Sequence, residues 1–350
     1  MMQVDHTNRL RQQFVMNDVS TEEWSERGTA GEAKSLRSRV CTPAQLAPFL
    51  QRSPARLFGA LAFDYLSIIG AAALSIHFAN PAAYLLALIW IGGRQLGIGT
   101  VGMHEGAHWM MLRNRKHNDW LARALLWSVF APALTLTLDR FRATHFQHHR
   151  EVNSSTDPDL PVTQYVCGSR KNAFVILMLG LTGLFGLYLF SLYLREGGWR
   201  RRGVALLVVG SLLTAAFMSV RPAQLFIFYY IVPMLTWAMF INQLRTMAEH
   251  YPRGQFGDDA GIPDVLLTRE VLPSWFDRFF VATRAVNYHL THHLFPAVPF
   301  YNLGRLQRLA SHSAAYRASA HVTRGYHRFL IELFTKRRPA VGTQLKPVTV

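Results

Sequence analysis

The chain has 350 residues, 50% of them hydrophobic, and a formal net charge of +16 at pH 7. Two cysteines, Cys41 and Cys167, are too few for a disulfide framework, a cysteine-rich metal site or a covalent haem attachment. The sequence contains no nucleic-acid-binding motif, and residues 301–350 hold nine Lys and Arg against a single acidic residue, Glu332. Basic residues beside apolar segments are typical of the cytoplasmic face of a membrane, where they meet anionic lipid headgroups. We therefore expect a membrane, and no nucleic acid, as the partner of this charge.

The ends of the chain are polar. Residues 1–50 lack the apolar core of a cleaved signal peptide, and we expect them to form a disordered cytoplasmic extension. Residues 51–315 are predicted to form one membrane domain, and residues 316–350 a basic cytoplasmic tail.

Long apolar segments occupy residues 57–103, 172–194 and 203–243. They contain three charged residues in all: Asp64, Arg94 and Arg221. About 20 apolar residues in a helix are enough to cross a bilayer core of about 30 Å. A soluble amphipathic helix would need a polar stripe, which these segments lack. The sequence therefore predicts an all-α integral membrane protein.

Charge and turn signals predict about four crossings, arranged as two hairpins, at residues 57–78, 83–103, 203–220 and 223–243. Asn80-Pro81 and Arg221-Pro222 would form the outer turns. Residues 120–138 are predicted to be interfacial, because Arg123 interrupts them and charges flank them, and residues 172–194 to be interfacial or re-entrant, because basic residues flank them at both ends. Both termini and the polar segments would then lie in the cytoplasm, the latter as a cap.

Eight of the fifteen histidines lie in three short clusters: HEGAH (104–108), HFQHH (145–149) and HLTHH (289–293). Positions i, i+3 and i+4 share one face of a helix, so the rings of each cluster can converge. Protonating several crowded imidazoles is unfavourable, whereas neutral imidazoles bind Zn, Cu, Fe or Ni. Eight ligands exceed the coordination number of one zinc-like ion, so the count favours two metal ions on one side of the membrane.

His250 is a ninth candidate ligand, because it directly follows the last predicted crossing. The candidate ligands are therefore His104, His108, His145, His148, His149, His250, His289, His292 and His293. The isolated histidines are expected to be ordinary core or surface residues: His6, His77, His117, His312, His321 and His327.

The order and separation of the clusters resemble those of the membrane-bound fatty acid desaturase family, a histidine-rich di-iron group that includes hydroxylases and ketolases. The resemblance runs from about residue 57 to about residue 310, and the stretches HREVNSSTDPDL (149–160) and NYHLTHHLFPAVPFYNL (287–303) are also similar to family sequence. The resemblance implies two iron ions, O₂ as co-substrate, a lipid or acyl-chain substrate and the nine histidines as ligands. The EH at 249–250 matches an additional ligand that many members of the family have. The HxxxH first cluster is similar to the acyl-lipid, sphingolipid and carotenoid-modifying branches.

Carboxylates normally orient ligating histidines through their second ring nitrogen. The candidates for this role are Asp157, Asp159, Glu105 and Glu249, each of which would serve equally as a helix cap or solvated charge.

The leading hypothesis is an O₂-dependent di-iron lipid desaturase, and the alternative within the family is a hydroxylase or ketolase of a carotenoid or other hydrocarbon. A zinc or copper transporter is less favoured, because transporters place ligands near mid-bilayer and these clusters lie outside the apolar segments. The chain has no Gly-rich dinucleotide fingerprint, four-cysteine iron–sulfur set or fused haem module. We therefore expect a separate ferredoxin-like or cytochrome b5-like electron donor. The basic C-terminal region would either bind this donor or contact anionic lipid headgroups.

Overall fold

The structure, a computed structural model, describes residues 29–130, 137–196, 198–251 and 264–335. These parts of the chain form helices, a two-stranded parallel sheet, short 3₁₀ turns at Ala47–Leu50 and Asp264–Leu267, and the loops that connect them. The helices are α1 Thr29–Val40, α2 Pro43–Leu46, α3 Pro54–Phe78, α4 Pro81–Glu105, α5 Arg115–Phe130, α6 Leu138–Glu151, α7 Leu160–Gly168, α8 Arg170–Leu181, α9 Leu184–Glu196, α10 Trp199–Phe217, α11 Arg221–Glu249, α12 Trp275–Phe280, α13 His289–Leu294, α14 Phe300–Ala310, α15 Ala314–Ser319 and α16 Tyr326–Thr335. The strands are β1 Arg269–Leu272 and β2 His321–Arg324.

Helices α3, α4 and α11 are long and apolar enough to cross a membrane. The turn between α3 and α4 falls at the predicted Asn80-Pro81, where Ala79 adopts a left-handed conformation (φ 47°) that ends α3. The Asn80 side chain then accepts a hydrogen bond from the backbone N–H of Ala83 at 2.9 Å, which caps the first turn of α4. A fixed proline φ suits that first turn as well.

The predicted third and fourth crossings differ from the helices in the structure. α11 begins at the predicted Arg221-Pro222 turn and extends to Glu249, beyond the predicted end at residue 243. The apolar part of α10, Arg202–Phe217, is shorter than a full membrane span. In the described chain there are thus three candidate spans, or four if the bent pair of helices α8 and α9 counts as one.

The segment 172–194 does not form a straight helix. Helices α8 and α9 meet at an angle of 85°, at a break where Gly183 has φ +82°. Glycine adopts this conformation without the steric penalty of a Cβ. The bend is compatible with the predicted re-entrant path and equally with a broken span.

Segments near both ends of the chain pack into the fold. Leu36 and Val40 of α1 share a hydrophobic cluster with Leu290 and Leu294 of α13, the helix that carries the third histidine cluster. Strand β2 pairs with β1, and Phe329 of α16 is fully buried in a second cluster. Parts of the predicted N-terminal extension and C-terminal tail therefore support the histidine-bearing helices, whereas residues 1–28 and 336–350 lie outside the described chain.

Helix α12 packs against the middle of α4. The carbonyl oxygen of Phe280 lies 3.1 Å from the position that a Cβ would take at Gly93, and it accepts a hydrogen bond from Trp237 Nε1 of α11. From there the chain follows α4 towards the third cluster, through Arg284 (φ 73°) and Ala285 (φ 57°). Positive φ is uncommon at residues other than glycine, so packing must hold this segment in place.

Candidate metal centre

Three helices carry the histidine clusters to one place. His104 lies in a π-helical turn, Val101–Glu105, at the end of α4, and the backbone N–H of His108 bonds to its carbonyl oxygen at 3.1 Å. The second cluster lies on α6, which is capped by the hydroxyl of Thr137, and the third forms the first five residues of α13. π-helical turns are frequent at functional sites because they redirect side chains.

All nine candidate ligands lie in two groups, and within each group the ring nitrogens lie within 4.8 Å of one another. Group one consists of His104, His108, His145, His149 and His292. Group two consists of His148, His250, His289 and His293. The second and third clusters each contribute to both groups, so the two groups are adjacent.

Group one is a ring of converging Nε2 atoms. The distance is 2.8 Å between His104 and His292, 3.0 Å between His108 and His145, and 3.1 Å between His292 and His149. Nitrogen ligands lie about 2.0–2.1 Å from a zinc-sized ion, which places neighbouring ligands at right angles about 3 Å apart. The spacing of these atoms therefore fits the edges of a metal coordination shell.

The Nε2 atoms of group two also converge. The Nε2 atom of His289 lies 2.5 Å from that of His250 and 3.1 Å from that of His293. The buried Nε2 atom of His148 has no hydrogen-bond partner among the described residues. A buried nitrogen without a partner is unfavourable, and a bound cation would satisfy it.

Burial also favours the neutral form of most of the donor set. Burial lowers the pKa of seven of these histidines well below the ordinary value of 6.5, and charge on neighbouring imidazoles would lower it further. They are His108, His145, His149, His250, His289, His292 and His293. Neutral imidazoles are the form that binds metal. Spacing, burial and protonation state together fit two ions held by nitrogen.

Among the candidate carboxylates, Asp157 makes the shortest contact with a histidine. Its Oδ1 lies 2.8 Å from Nδ1 of His148, and both side chains are buried. The Asp157 carboxylate also accepts hydrogen bonds from the backbone N–H groups of Asn153 and Asp159 at 2.7 and 2.9 Å. It therefore fixes the loop after α6 and directs Nε2 of His148 towards group two. The grouping of His148, Asp157 and Asp159 is explained by these contacts without a third ion.

The other three candidates differ in their contacts. Glu105 accepts a hydrogen bond from the backbone N–H of Phe300 at 3.0 Å and lies 3.4 Å from Nδ1 of His104. Glu249 is held by Arg245 at 3.0 Å and lies 3.6 Å from Nδ1 of His289. Asp159 is 3.7 Å from Nδ1 of His148 with a side chain that is 59% exposed, so its contact is the weakest.

Glu270 was not identified from the sequence. This fully buried residue of β1 accepts hydrogen bonds from the backbone N–H and hydroxyl of Thr291, both at 2.9 Å, and from the Tyr316 hydroxyl at 2.7 Å. Burial raises the pKa of Glu270 to about 7. Because Thr291 lies inside the third cluster, Glu270 anchors the helix that carries it. A single acidic residue in LLTREVL was its only sequence signal.

A cavity of about 370 Å³ adjoins the histidines. His104, His289 and His292 form part of its wall, and the other lining residues are Leu96, Gly99, Thr100, Met103, Glu105, Phe141, Leu189, Met239, Asn242, Arg245, Arg284, Val286 and Leu303. The wall is mainly apolar with a few polar groups, as is usual for small-molecule sites. The cavity thus gives a small molecule access to both histidine groups.

The histidines that were expected to be ordinary lie outside the two groups wherever the structure describes them. His77 is on α3, His117 and His312 are exposed, and His321 is on β2. His327 is exposed on α16, and His6 lies outside the described residues.

Comparison with known proteins gives two findings. A model of the fatty acid desaturase family matches residues 79–325, a range that contains all three clusters and His250. The chain is 27% identical over 317 residues to the dihydrorhizobitoxine desaturase of Bradyrhizobium elkanii, and the alignment covers 84% of this chain and 85% of that protein.

Proposed function

The chain belongs to the fatty acid desaturase family, and we propose that it is an O₂-dependent di-iron desaturase that introduces a double bond into an acyl chain. The observation that carries the proposal is the partition of nine histidines into groups of five and four converging nitrogens beside a mainly apolar cavity. The relative from Bradyrhizobium elkanii is named a desaturase, which supports double-bond formation over hydroxylation.

The reaction removes two hydrogen atoms from adjacent carbons. Its balance is R–CH₂–CH₂–R′ plus O₂, two electrons and two protons, giving R–CH=CH–R′ and two molecules of water. Two iron ions, when bound by the nine histidines, supply the site at which O₂ is reduced and C–H bonds are oxidised. An all-nitrogen ligand set leaves the positive charge of the ions unneutralised, in contrast to a carboxylate-rich set.

The protein positions the ligands and the chain. Asp157 holds Nδ1 of His148, and Glu105 connects the end of α4 to the backbone at Phe300. Such outer contacts fix the orientation of ligating rings. The apolar wall, including Leu96 and Met239, would hold the aliphatic part of the substrate and exclude water from the reacting carbons.

A separate protein must deliver the electrons, and we propose a ferredoxin-like or cytochrome b5-like donor. Such donors are commonly acidic, and the surface near α14 and α15 carries the exposed cations Arg308 and Arg317. Opposite charge accelerates encounter between the two proteins.

We further propose that the metal centre faces the cytoplasm. The second and third clusters meet, so the chain between them must cross the membrane an even number of times. α11 is a candidate crossing, and we propose α10 as its companion despite its shorter apolar part, because basic residues precede it and α8–α9 is bent. Basic residues favour the cytoplasmic side of short loops, which places Arg200 and Arg202 there.

Profiling the lipids and fatty acids of a host that expresses the protein tests the proposal, with His148→Ala as the inactive control. A product lighter by two hydrogens supports the desaturase, whereas a product heavier by one oxygen identifies a hydroxylase. Metal analysis of the purified protein provides a second test, because two irons per chain are expected. A protein that binds zinc alone would contradict the proposed chemistry.

A further inference from the structure

A buried cluster of three charges adjoins the cavity, and the proposed function gives it no role. Asp64 of α3 is fully buried and accepts hydrogen bonds from Arg94 Nη1 at 3.4 Å and from Arg284 Nε at 3.1 Å. One carboxylate therefore lies between two guanidinium groups, which leaves one positive charge uncompensated within the cluster. Ionisable residues within membrane segments are rare and usually serve a function.

The surplus charge faces the cavity. Arg284 lines the cavity wall, whereas Asp64 and Arg94 do not. The Arg284 side chain is 12% exposed, against 4% for Arg94. Arg284 contacts Asp64 through both Nε and Nη2, and Nη2 also donates to the carbonyl oxygen of Ala60, but its Nη1 donates to no residue within the described chain. A guanidinium with unused donors is well suited to bind a carboxylate.

The position of Arg284 determines which end of a substrate it meets. Its Cγ lies 3.5 Å from the Cβ position at Gly97, seven residues before His104 on α4. A helix rises 1.5 Å per residue, so this point lies about 10 Å from His104, towards the middle of the apolar helix. A phospholipid headgroup stays at the membrane surface, whereas the end of a small molecule can enter to this depth.

We propose that Arg284 binds the carboxylate of a free carboxylic acid, whose carbon chain then extends past the histidines. This inference rests on the proposed function and defines its substrate class as a short acid that enters carboxyl end first, not an acyl chain esterified to a lipid. A cavity of about 370 Å³ is near the lower limit of small-molecule sites, about 300–1,000 Å³, which favours a short chain. Asn242 also lines the cavity, and its side-chain amide bonds to no described residue, so it provides a second polar contact.

The test compares octanoate with its neutral analogue octanamide. Iron-loaded protein in phosphatidylcholine nanodiscs, without an electron donor, is titrated with each compound by calorimetry. We expect octanoate to bind at least ten times more tightly than octanamide. Equal affinities in the wild-type protein would overturn the proposal without reference to any variant.

Arg284→Gln and Arg94→Gln form a matched pair, because each removes one guanidinium and leaves Asp64 paired with the other. Arg284→Gln should abolish the preference for octanoate, and Arg94→Gln should keep it within threefold, since Arg94 does not line the cavity. An equal loss in both variants would show that only the net charge of the cluster matters and would remove the role of Arg284.

Three further outcomes distinguish this inference from a lipid-binding site and from the proposed function. If replacing phosphatidylcholine by the anionic phosphatidylglycerol abolishes octanoate binding, an anionic lipid headgroup occupies the site and the carboxylic acid assignment is wrong. If the wild-type protein and Arg284→Gln desaturate phosphatidylcholine chains at equal rates, the proposed function is supported and the proposed substrate class is wrong. If octanoate binds as expected but no double bond forms when O₂ and an electron donor are then supplied, the substrate class stands and the desaturase function falls.

Discussion

Oδ1 of Asp157 lies 2.8 Å from Nδ1 of His148, and both side chains are buried. Because Nδ1 is engaged, Nε2 is the atom of His148 that remains for group two. The contact links the loop after α6 to the ring whose sequence neighbours, His145 and His149, belong to group one. Asp157 thus fixes the orientation of the one histidine of this cluster that belongs to group two.

Replacing Asp157 tests this relationship. We expect Asp157→Asn to weaken metal binding about 10- to 100-fold, the effect usual for a partner of a ligating histidine. Iron content and turnover should fall together. Asp159→Asn is the matched control, since the Asp159 side chain is 59% exposed and 3.7 Å from the same ring nitrogen. Equal losses in the two variants would contradict the role given to Asp157.

Replacing a central ligand should have a larger effect. His148→Ala or His292→Ala removes one nitrogen from a group of four or five, so we expect turnover to be abolished while the protein still inserts into membranes. His117→Ala and His312→Ala change exposed residues outside both groups and should keep full activity. Activity assays on membranes with matched protein levels provide the measurement. An active His148→Ala variant would rule out the shared centre.

His250 follows α11 and stands apart from the three clusters, so its role as a ligand needs its own test. Its Nε2 lies 2.5 Å from that of His289. We expect His250→Ala to lower bound iron and activity in parallel, because group two would retain three of its four nitrogens. Normal iron content with full activity would make His250 a structural residue.

The spacing of the clusters predicted only part of the convergence, because the i, i+4 pairs stay together whereas the i+3 members, His148 and His292, lie in the other group. His145 and His149, four apart on α6, share group one, and His289 and His293 share group two. The partition of the neighbours His148 and His292 was not predictable, because it depends on how α6 and α13 pack across more than 140 residues of sequence. Helical periodicity is local, whereas this arrangement is a tertiary property.

The membrane segments show a similar limit. Apolar length and turn residues predicted α3 and α4 closely, since capping at Asn80 is a local effect. The packing of α12 against the middle of α4 was not predicted, because a helix of six residues is too short to give a hydropathy signal. Arg284 and Glu270 were missed for a related reason: isolated charges acquire a role only when distant helices enclose them.

Glu270 gives a stability prediction. Glu270→Ala removes the acceptor of three buried donors, of which only the hydroxyls of Thr291 and Tyr316 can still bond to each other, at 3.3 Å, and each donor left without an acceptor costs about 1–3 kcal/mol. We expect a loss of about 3–5 kcal/mol, which is at the upper end for a single substitution. Glu270→Gln keeps an acceptor at this position and should lose less. Thermal unfolding in detergent measures both.

The control for that series is Asp139→Ala. Asp139 pairs with Arg123 at 3.1 Å, but the two side chains are 67% and 49% exposed, and surface ion pairs contribute at most about 1 kcal/mol. A Glu270→Ala variant as stable as Asp139→Ala would show that Glu270 does not anchor α13.

The last prediction concerns the side of the membrane on which the centre lies. Asn80 is exposed at the turn between α3 and α4, and His312 is exposed after α14, at the opposite end of the proposed topology. The positive-inside rule places the turn outside and the basic segment in the cytoplasm. In intact cells, Asn80→Cys should therefore react with an impermeant thiol reagent, whereas His312→Cys should react only after permeabilisation. The native Cys41 and Cys167 are both buried and should give little background. The reversed pattern would place the metal centre outside, where a cytoplasmic electron donor has no access to it.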